Sequence, residues 1–242
     1  MRKYSYGSIL LILIVNAILV GILQNIFDGD LSILGGFVAF IFDYIICRGL
    51  LYDREGSFSD YFRGIKTMTG KVFLMNILVG AITVILDLLV TLASGGSILF
   101  FNDYVVNNTK ILIIIVVLFI LVTIFTSLIF AYMNFFMADE RYRDLSFFDS
   151  LKLIVKAGIK LFSESFMAGL KAYKITLLTG VIALVTAILS IKAPAAAILA
   201  IIFGLIAAIT LFFCTPPFRA SLSDIYIDRS EEIYNEVIGN KN

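Results

Sequence analysis

The chain reads as an all-α, polytopic membrane protein with six transmembrane helices in two parallel repeats, joined on one side by cytoplasmic amphipathic helices. Three observations predict this. Of 242 residues 60% are hydrophobic, with a mean hydropathy of +1.01, far above a soluble domain. The apolar residues form six continuous stretches without the alternation of a barrel strand. The basic residues are segregated: of 19 Lys and Arg, only Lys110 and Lys192 fall in one set of gaps, and the remaining 17 mark the opposite side. Cytoplasmic loops carry the excess of Lys and Arg, so both termini are expected in the cytoplasm of a bacterial plasma membrane protein. A formal net charge of +1 conceals this asymmetry.

A helix needs about 20 apolar residues to cross a hydrocarbon layer of about 30 Å, where only helices and closed barrels satisfy their own backbone groups. Residues 7–26, 31–51, 72–92, 111–137, 175–191 and 195–213 meet that requirement. The first stretch follows Arg2 and Lys3 like a signal peptide, but five more spans in register with it lead us to expect it uncleaved. The fourth is long enough to tilt or project, and the fifth is short. This gives a membrane domain over 1–218 and a polar cytoplasmic tail over 219–242, in which 224–237 suit a short helix or a frayed end.

The two long basic loops, 52–71 and 138–174, resemble one another. Residues 57–65 align without a gap on 146–154 in a shared S-F-x-D-x-(F/L)-(R/K)-x-I. In each copy a Ser precedes an Asp by three residues, a capping-box-like start that predicts helices beginning at Ser57 and Ser146. Each copy follows a span entering the cytoplasm and precedes one leaving it, which makes the repeats parallel.

Lys152, Lys156 and Lys160 recur every four residues, with Phe147, Leu151, Ile154, Leu161 and Phe162 on the broad opposite side. Two readings fit. The helix lies at the inner headgroup layer with its lysines, and Arg63 and Lys66 of the first copy, on anionic lipid. Alternatively the lysines are a solvated topology signal and the apolar side packs on the spans.

Ionisable groups inside spans are costly, which makes Asp43 and Asp87 candidates by default. Helical rise sets them at different depths, so they form no aspartyl dyad. Asp87 is expected to reach the outer interface, whereas Asn16 on the preceding span lies level with Asp43 and can hydrogen-bond it. The same two residues would serve a proton or cation site given a watery approach. Arg48, on another face of the helix from Asp43, is expected to snorkel to the headgroups. Ala196, Ala200, Gly204 and Ala208 form a small-residue row on the last span, suited to intramolecular packing or a homodimer.

Histidine is absent, and there is no phosphate loop, dinucleotide fingerprint or serine elbow. No metal, cofactor, nucleic acid or catalytic group is therefore expected. Residues 57–65, Ala138-Asp139-Glu140 ahead of 146–154, and Thr215-Pro216-Pro217-Phe218 resemble the YciC-like group of bacterial six-helix membrane proteins, related to the membrane domain of glycerophosphodiester phosphodiesterases. The resemblance implies an integral inner-membrane protein without assigned chemistry. The mid-chain Pro-Gly of such relatives is absent here. The leading expectation is thus a non-enzymatic protein that engages anionic lipid or a protein partner through its basic helices in envelope maintenance, regulation or assembly. The alternative is a small transporter or permease subunit with Asp43 as its ionisable site.

Overall fold

The computed structural model describes residues 2–26, 32–93, 109–190 and 193–239. Among them are nine α-helices: α1 (Tyr6–Ile26), α2 (Ser32–Tyr52), α3 (Phe58–Arg63), α4 (Gly70–Ala93), α5 (Thr109–Ile129), α6 (Met133–Ala138), α7 (Phe147–Lys160), α8 (Phe162–Ser190) and α9 (Ala196–Val237). Short 3-10 turns follow α3 and α6, and the described residues contain no strand. Five helices are long and apolar enough to cross a membrane, or six if the two limbs of α8, which meet at 75°, make one span.

The long helices divide into stems and a base. Their stems expose large apolar residues such as Ile18 and Ile22 of α1, Val84 and Leu88 of α4, and Ile198 and Leu205 of α9. Such surfaces would be unfavourable in water and suit hydrocarbon, which gives the chain the build of a helical multi-pass membrane protein. At the base, the last third of α2 is buried all round, from Tyr44 through Ile45, Ile46 and Cys47 to Leu50. It packs with Tyr61 of α3, Phe135 and Phe136 of α6, Leu153, Ile154 and Ala157 of α7, and Leu222, Tyr226 and Ile233 of α9 in one aromatic-rich core.

Local chemistry explains the base helices. Ser57 precedes α3, its backbone N–H and hydroxyl both donating to the Asp60 carboxylate at 2.8 and 2.7 Å. Ser146 precedes α7 and its hydroxyl oxygen accepts from the Asp149 N–H at 3.1 Å. Both starts match the sequence expectation. Hydrogen bonding from Ser57 also holds the Asp60 carboxyl below its ordinary value. The two copies dock differently, however. Tyr61 of α3 lies against Gly49 of α2, where an added Cβ would sit 2.1 Å from the ring. In the second copy it is α7 that carries the glycine: a Cβ on Gly158 would sit 1.9 Å from the Ile129 carbonyl oxygen, so α7 crosses directly over the backbone at the end of α5.

One expectation about the spans is corrected, the end of the last one. The fourth stretch stays one candidate span, Val117–Ala138; within it the helix is interrupted by a turn at residues 130–132, closed by Ala131 and Met133 N–H donating to Leu128 and Phe130 carbonyls, and α6 beyond it is buried in the base. The last stretch does not end near residue 213. α9 continues for 42 residues through Pro216 and Pro217. A proline leaves the carbonyl four residues earlier without its helical donor, and the Tyr6 hydroxyl donates to the Phe213 carbonyl at 3.0 Å, filling the place vacated at Pro217. Residues after 218 belong to the base, with Ala220, Leu222, Tyr226 and Ile233 fully buried.

Two hydrogen-bonded hubs tie this base together. Arg54 donates to the Lys3 carbonyl at 2.8 Å, to Ser223 at 2.9 Å and to Asp224 at 2.6 Å, joining the N-terminal segment, the α2–α3 loop and α9. Asp139, only 3% exposed, accepts from Arg141 at 2.7 Å and from the hydroxyls of Tyr226 at 2.9 Å and Tyr52 at 3.3 Å. Burial disfavours the charge of Asp139, but the Arg141 side chain and backbone N–H together with Tyr226 outweigh it and hold the carboxyl below its ordinary value of 3.8. A carboxyl depressed on folding stabilises fully above its unfolded value, and that contribution is lost as pH falls below 3.8 through the folded value. Thermal melts followed by circular dichroism in detergent should therefore lose stability on acidification through this range. Asp139→Asn should lower stability at neutral pH by about 2 kcal/mol and blunt the acid dependence; an unchanged acid profile would deny Asp139 this role.

Candidate functional site

Asp43 stands where the exposed part of α2 gives way to its buried end, and three elements converge on it. The Arg219 guanidinium of α9 pairs with its Oδ1 at 2.5 Å, each side chain being about a quarter exposed (26% and 25%). The Asn134 amide of α6 donates to Oδ2 at 2.6 Å. The Asn134 carbonyl oxygen in turn accepts at 3.3 Å from Asn76 of α4, whose amide also donates to the Val72 carbonyl at 2.8 Å. Donation therefore runs in one direction, from Asn76 to Asn134 to the carboxylate, an order in which each bond polarises the next.

Backbone features place these groups. The turn at 130–132 brings Asn134 into the first turn of α6 facing α2. Beyond the proline pair, the Phe218 ring packs against Tyr173 of α8 with centroids 5.1 Å apart, and the Tyr173 hydroxyl donates to Thr215 at 3.4 Å, which seats the segment carrying Arg219. The cluster floors a cavity of about 810 Å³. Its walls are mainly apolar, from Leu13 of α1, Phe37 and Phe40 of α2, and Ile77, Val79 and Val84 of α4, with Asn16 also in the lining.

Asn16 does not bond Asp43. Its carbonyl oxygen is buried without a hydrogen-bond partner among the described residues, while Asp43 is taken by Arg219 and Asn134. A charged guanidinium makes a stronger hydrogen bond to a carboxylate than a neutral amide does. Arg48 likewise does not snorkel outward: it pairs with Glu140 at 2.9 Å, donates to Thr67 at 3.2 Å and stacks over the Tyr52 ring at 3.9 Å. The Asp87 side chain and those of Lys110 and Lys192 lie outside the described residues.

The basic stripe divides. Lys156 pairs with Glu236 at 3.0 Å, and Lys160 with Glu232 at 2.9 Å and Glu236 at 2.6 Å, so α9 covers these two charges. Those carboxylates hold the Lys160 ammonium above its ordinary value. Lys152 and Lys66 are exposed without an ion pair among the described residues, and Arg63, 76% exposed, meets only Asp60 at 3.4 Å. The apolar side of α7 is occupied by the protein core rather than left for headgroups, with Leu153, Ile154 and Ala157 fully buried. In the small-residue row, Ala196, Ala200 and Gly204 are partly buried but Ala208 is exposed, because a four-residue step drifts about 40° per repeat from the 3.6-residue period. No atom lies within 4 Å of a Cβ built on Gly204, so the close approach expected there is absent. The α8–α9 pair is instead tied at Thr176 and Thr210, whose hydroxyls lie 3.0 Å apart.

Sequence reasoning passes over Arg219, Asn134 and Asn76. The two asparagines interrupt apolar stretches just as Asn16 does, so a signal is present in the chain. Arg219 lies past the last apolar run and gives no sign of pairing across the fold. Among the described residues no group of three or more metal-ligating side chains gathers. Comparison with protein families, characterised proteins and solved structures gives no match.

Removing one member of an ion pair largely withdrawn from water strands the other charge, whereas removing both leaves no charge to desolvate. Arg219→Met is expected to destabilise the protein by roughly 3 kcal/mol. Adding Asp43→Asn should restore part of that loss, measured as thermal midpoints of single and double variants. Additive losses would mean the two residues do not act as a pair.

Proposed function

We propose that this chain is a non-catalytic protein of a bacterial plasma membrane, with six spans and both termini in the cytoplasm, that holds a small ligand above the Asp43–Arg219 floor in the manner of a transporter or permease subunit. One observation carries this reading. A costly ion pair set among long apolar helices is left a quarter exposed to an apolar-walled space of about 810 Å³ instead of being sealed by packing. The six-span count takes the two limbs of α8 as one span, and the orientation follows the segregation of Lys and Arg. The paired Ser-to-Asp helix starts support two parallel repeats, and with the motifs around 138–140 and 215–218 they support membership of the YciC-like group.

A second reading, engagement of anionic lipid or a protein partner by the basic helices, is favoured by a specific patch. Phe148 is 72% exposed one turn before the exposed Lys152, a pairing that suits a headgroup layer. One experiment separates the two: mass spectrometry of small molecules and lipids retained by the full chain after gentle purification. Gly80 lines the cavity and no atom lies within 4 Å of a Cβ built there, so Gly80→Leu is expected to occupy part of the space. Loss of a retained ligand in Gly80→Leu, but not in Arg63→Ala/Lys66→Ala/Lys152→Ala, is the expected result. The reverse pattern would transfer the function to the basic surface.

A further inference from the structure

The chemistry of the cavity narrows what it takes, on the premise that it is a ligand site at all. Its floor carries one negative and one positive group already paired, so its net charge is zero. A lone cation on Asp43 would meet the like charge of Arg219, and a lone anion on Arg219 would meet the like charge of Asp43. A zwitterion meets neither obstacle, because each of its charges lands beside the opposite one. Both floor residues have capacity left. A carboxylate offers about four acceptor positions, of which Arg219 and Asn134 take two. A guanidinium has about five N–H donors, more than Asp43 can occupy.

The free acceptor positions of Asp43 add direction. A hydrogen bond to them needs an N–H or O–H, which a primary ammonium has and a quaternary ammonium lacks. Above the floor the lining turns apolar, with Phe37, Phe40, Val79 and Val84. The α4 residues Ile77 and Val84, 50% and 66% exposed, continue that lining onto the outer surface of the apolar stems, so the space faces hydrocarbon. A volume of about 810 Å³ takes a headgroup and the start of its chains, with the rest passing out among the stems.

We propose that the cavity binds the headgroup of a zwitterionic phospholipid bearing a primary amine, its ammonium on Asp43 and its phosphate on Arg219, with its acyl chains leaving toward the bilayer between α2 and α4. The site is distinct from the lysines of α7. It selects against anionic lipid, which brings no ammonium, and against choline lipid, whose nitrogen has no N–H to give Asp43.

The test uses the full chain in micelles containing equal amounts of phosphatidylethanolamine, phosphatidylcholine and phosphatidylglycerol, with retained lipid counted by native mass spectrometry. Wild type should retain the ethanolamine lipid over either other class by about tenfold, the discrimination expected when one hydrogen bond to a charged group is made or lost. Gly80→Leu should abolish that preference. Gly180→Leu should keep it, since Gly180 of α8 lies outside the cavity lining and a Cβ there also meets nothing within 4 Å. Excess soluble glycerophosphoethanolamine should fail to displace the lipid; displacement by it would show that the headgroup alone is the ligand and overturn the assignment to a lipid. Equal or better retention of the choline or glycerol lipid, still lost in Gly80→Leu, would overturn the headgroup assignment and leave the cavity reading standing. If retention of all three lipids is the same in wild type and Gly80→Leu, both the assignment and the cavity reading fall.

Discussion

A charge inside an apolar helix bundle must be paired or abandoned, and the Asp43–Arg219 contact is how this chain meets that demand. Much of its architecture follows from the contact. α9 has to remain helical past the apolar run to deliver Arg219, although two consecutive prolines remove helical hydrogen bonds just before it. Just after the turn at 130–132, Asn134 reaches the second carboxylate oxygen. The pair thus pins α2, α6 and α9 at one level, where the lipid-like surface of the stems meets the packed base.

The base changes how the basic loops should be understood. They are structural members of a folded core and not free arms beneath a membrane. α3 seats Tyr61 on Gly49, α7 crosses the end of α5 through Gly158, and the N-terminal segment meets α9 near Arg54 and Asp224. A short ion pair from Arg2 to Asp228 adds to that closure. Glu232 and Glu236 answer two of the three stripe lysines within the protein. On α7 the outward remainder is a smaller patch around Lys152 and Phe148. Inward, the Asn16 carbonyl oxygen is buried without a partner among the described residues, close to the paired Asp43 and Arg219 in the cavity lining.

Features set by near neighbours along the chain are legible in the amino-acid sequence. The stems follow from continuous apolar runs, and α1 and α4 begin and end within two residues of the runs that predict them. The starts of α3 and α7 follow from a Ser and an Asp three residues apart, a geometry that depends on nothing distant. Features set by tertiary contact are not legible in this way. Asp43 stands out as costly, but its natural partner by position, Asn16, loses to an arginine from the far end of the chain. The break at Phe130 has no proline or glycine to announce it; it follows from the crossing of α7 at Gly158 and the burial of Tyr132, Phe135 and Phe136 in the base. The even four-residue spacing of Ala196, Ala200, Gly204 and Ala208 suggests one face, yet the helical period carries Ala208 away from it.

An intact Asp43–Arg219 pair flooring a space open to a ligand among the stems would be visible in a high-resolution electron cryomicroscopy structure of the full chain in lipid nanodiscs. Such a structure should show Asp43 and Arg219 in contact, Asn134 on the second carboxylate oxygen, and non-protein density against the pair between α2 and α4. Finding the two charges apart, or the space closed by the side chains of α2 and α4, would contradict both the role of the pair and the ligand site built on it.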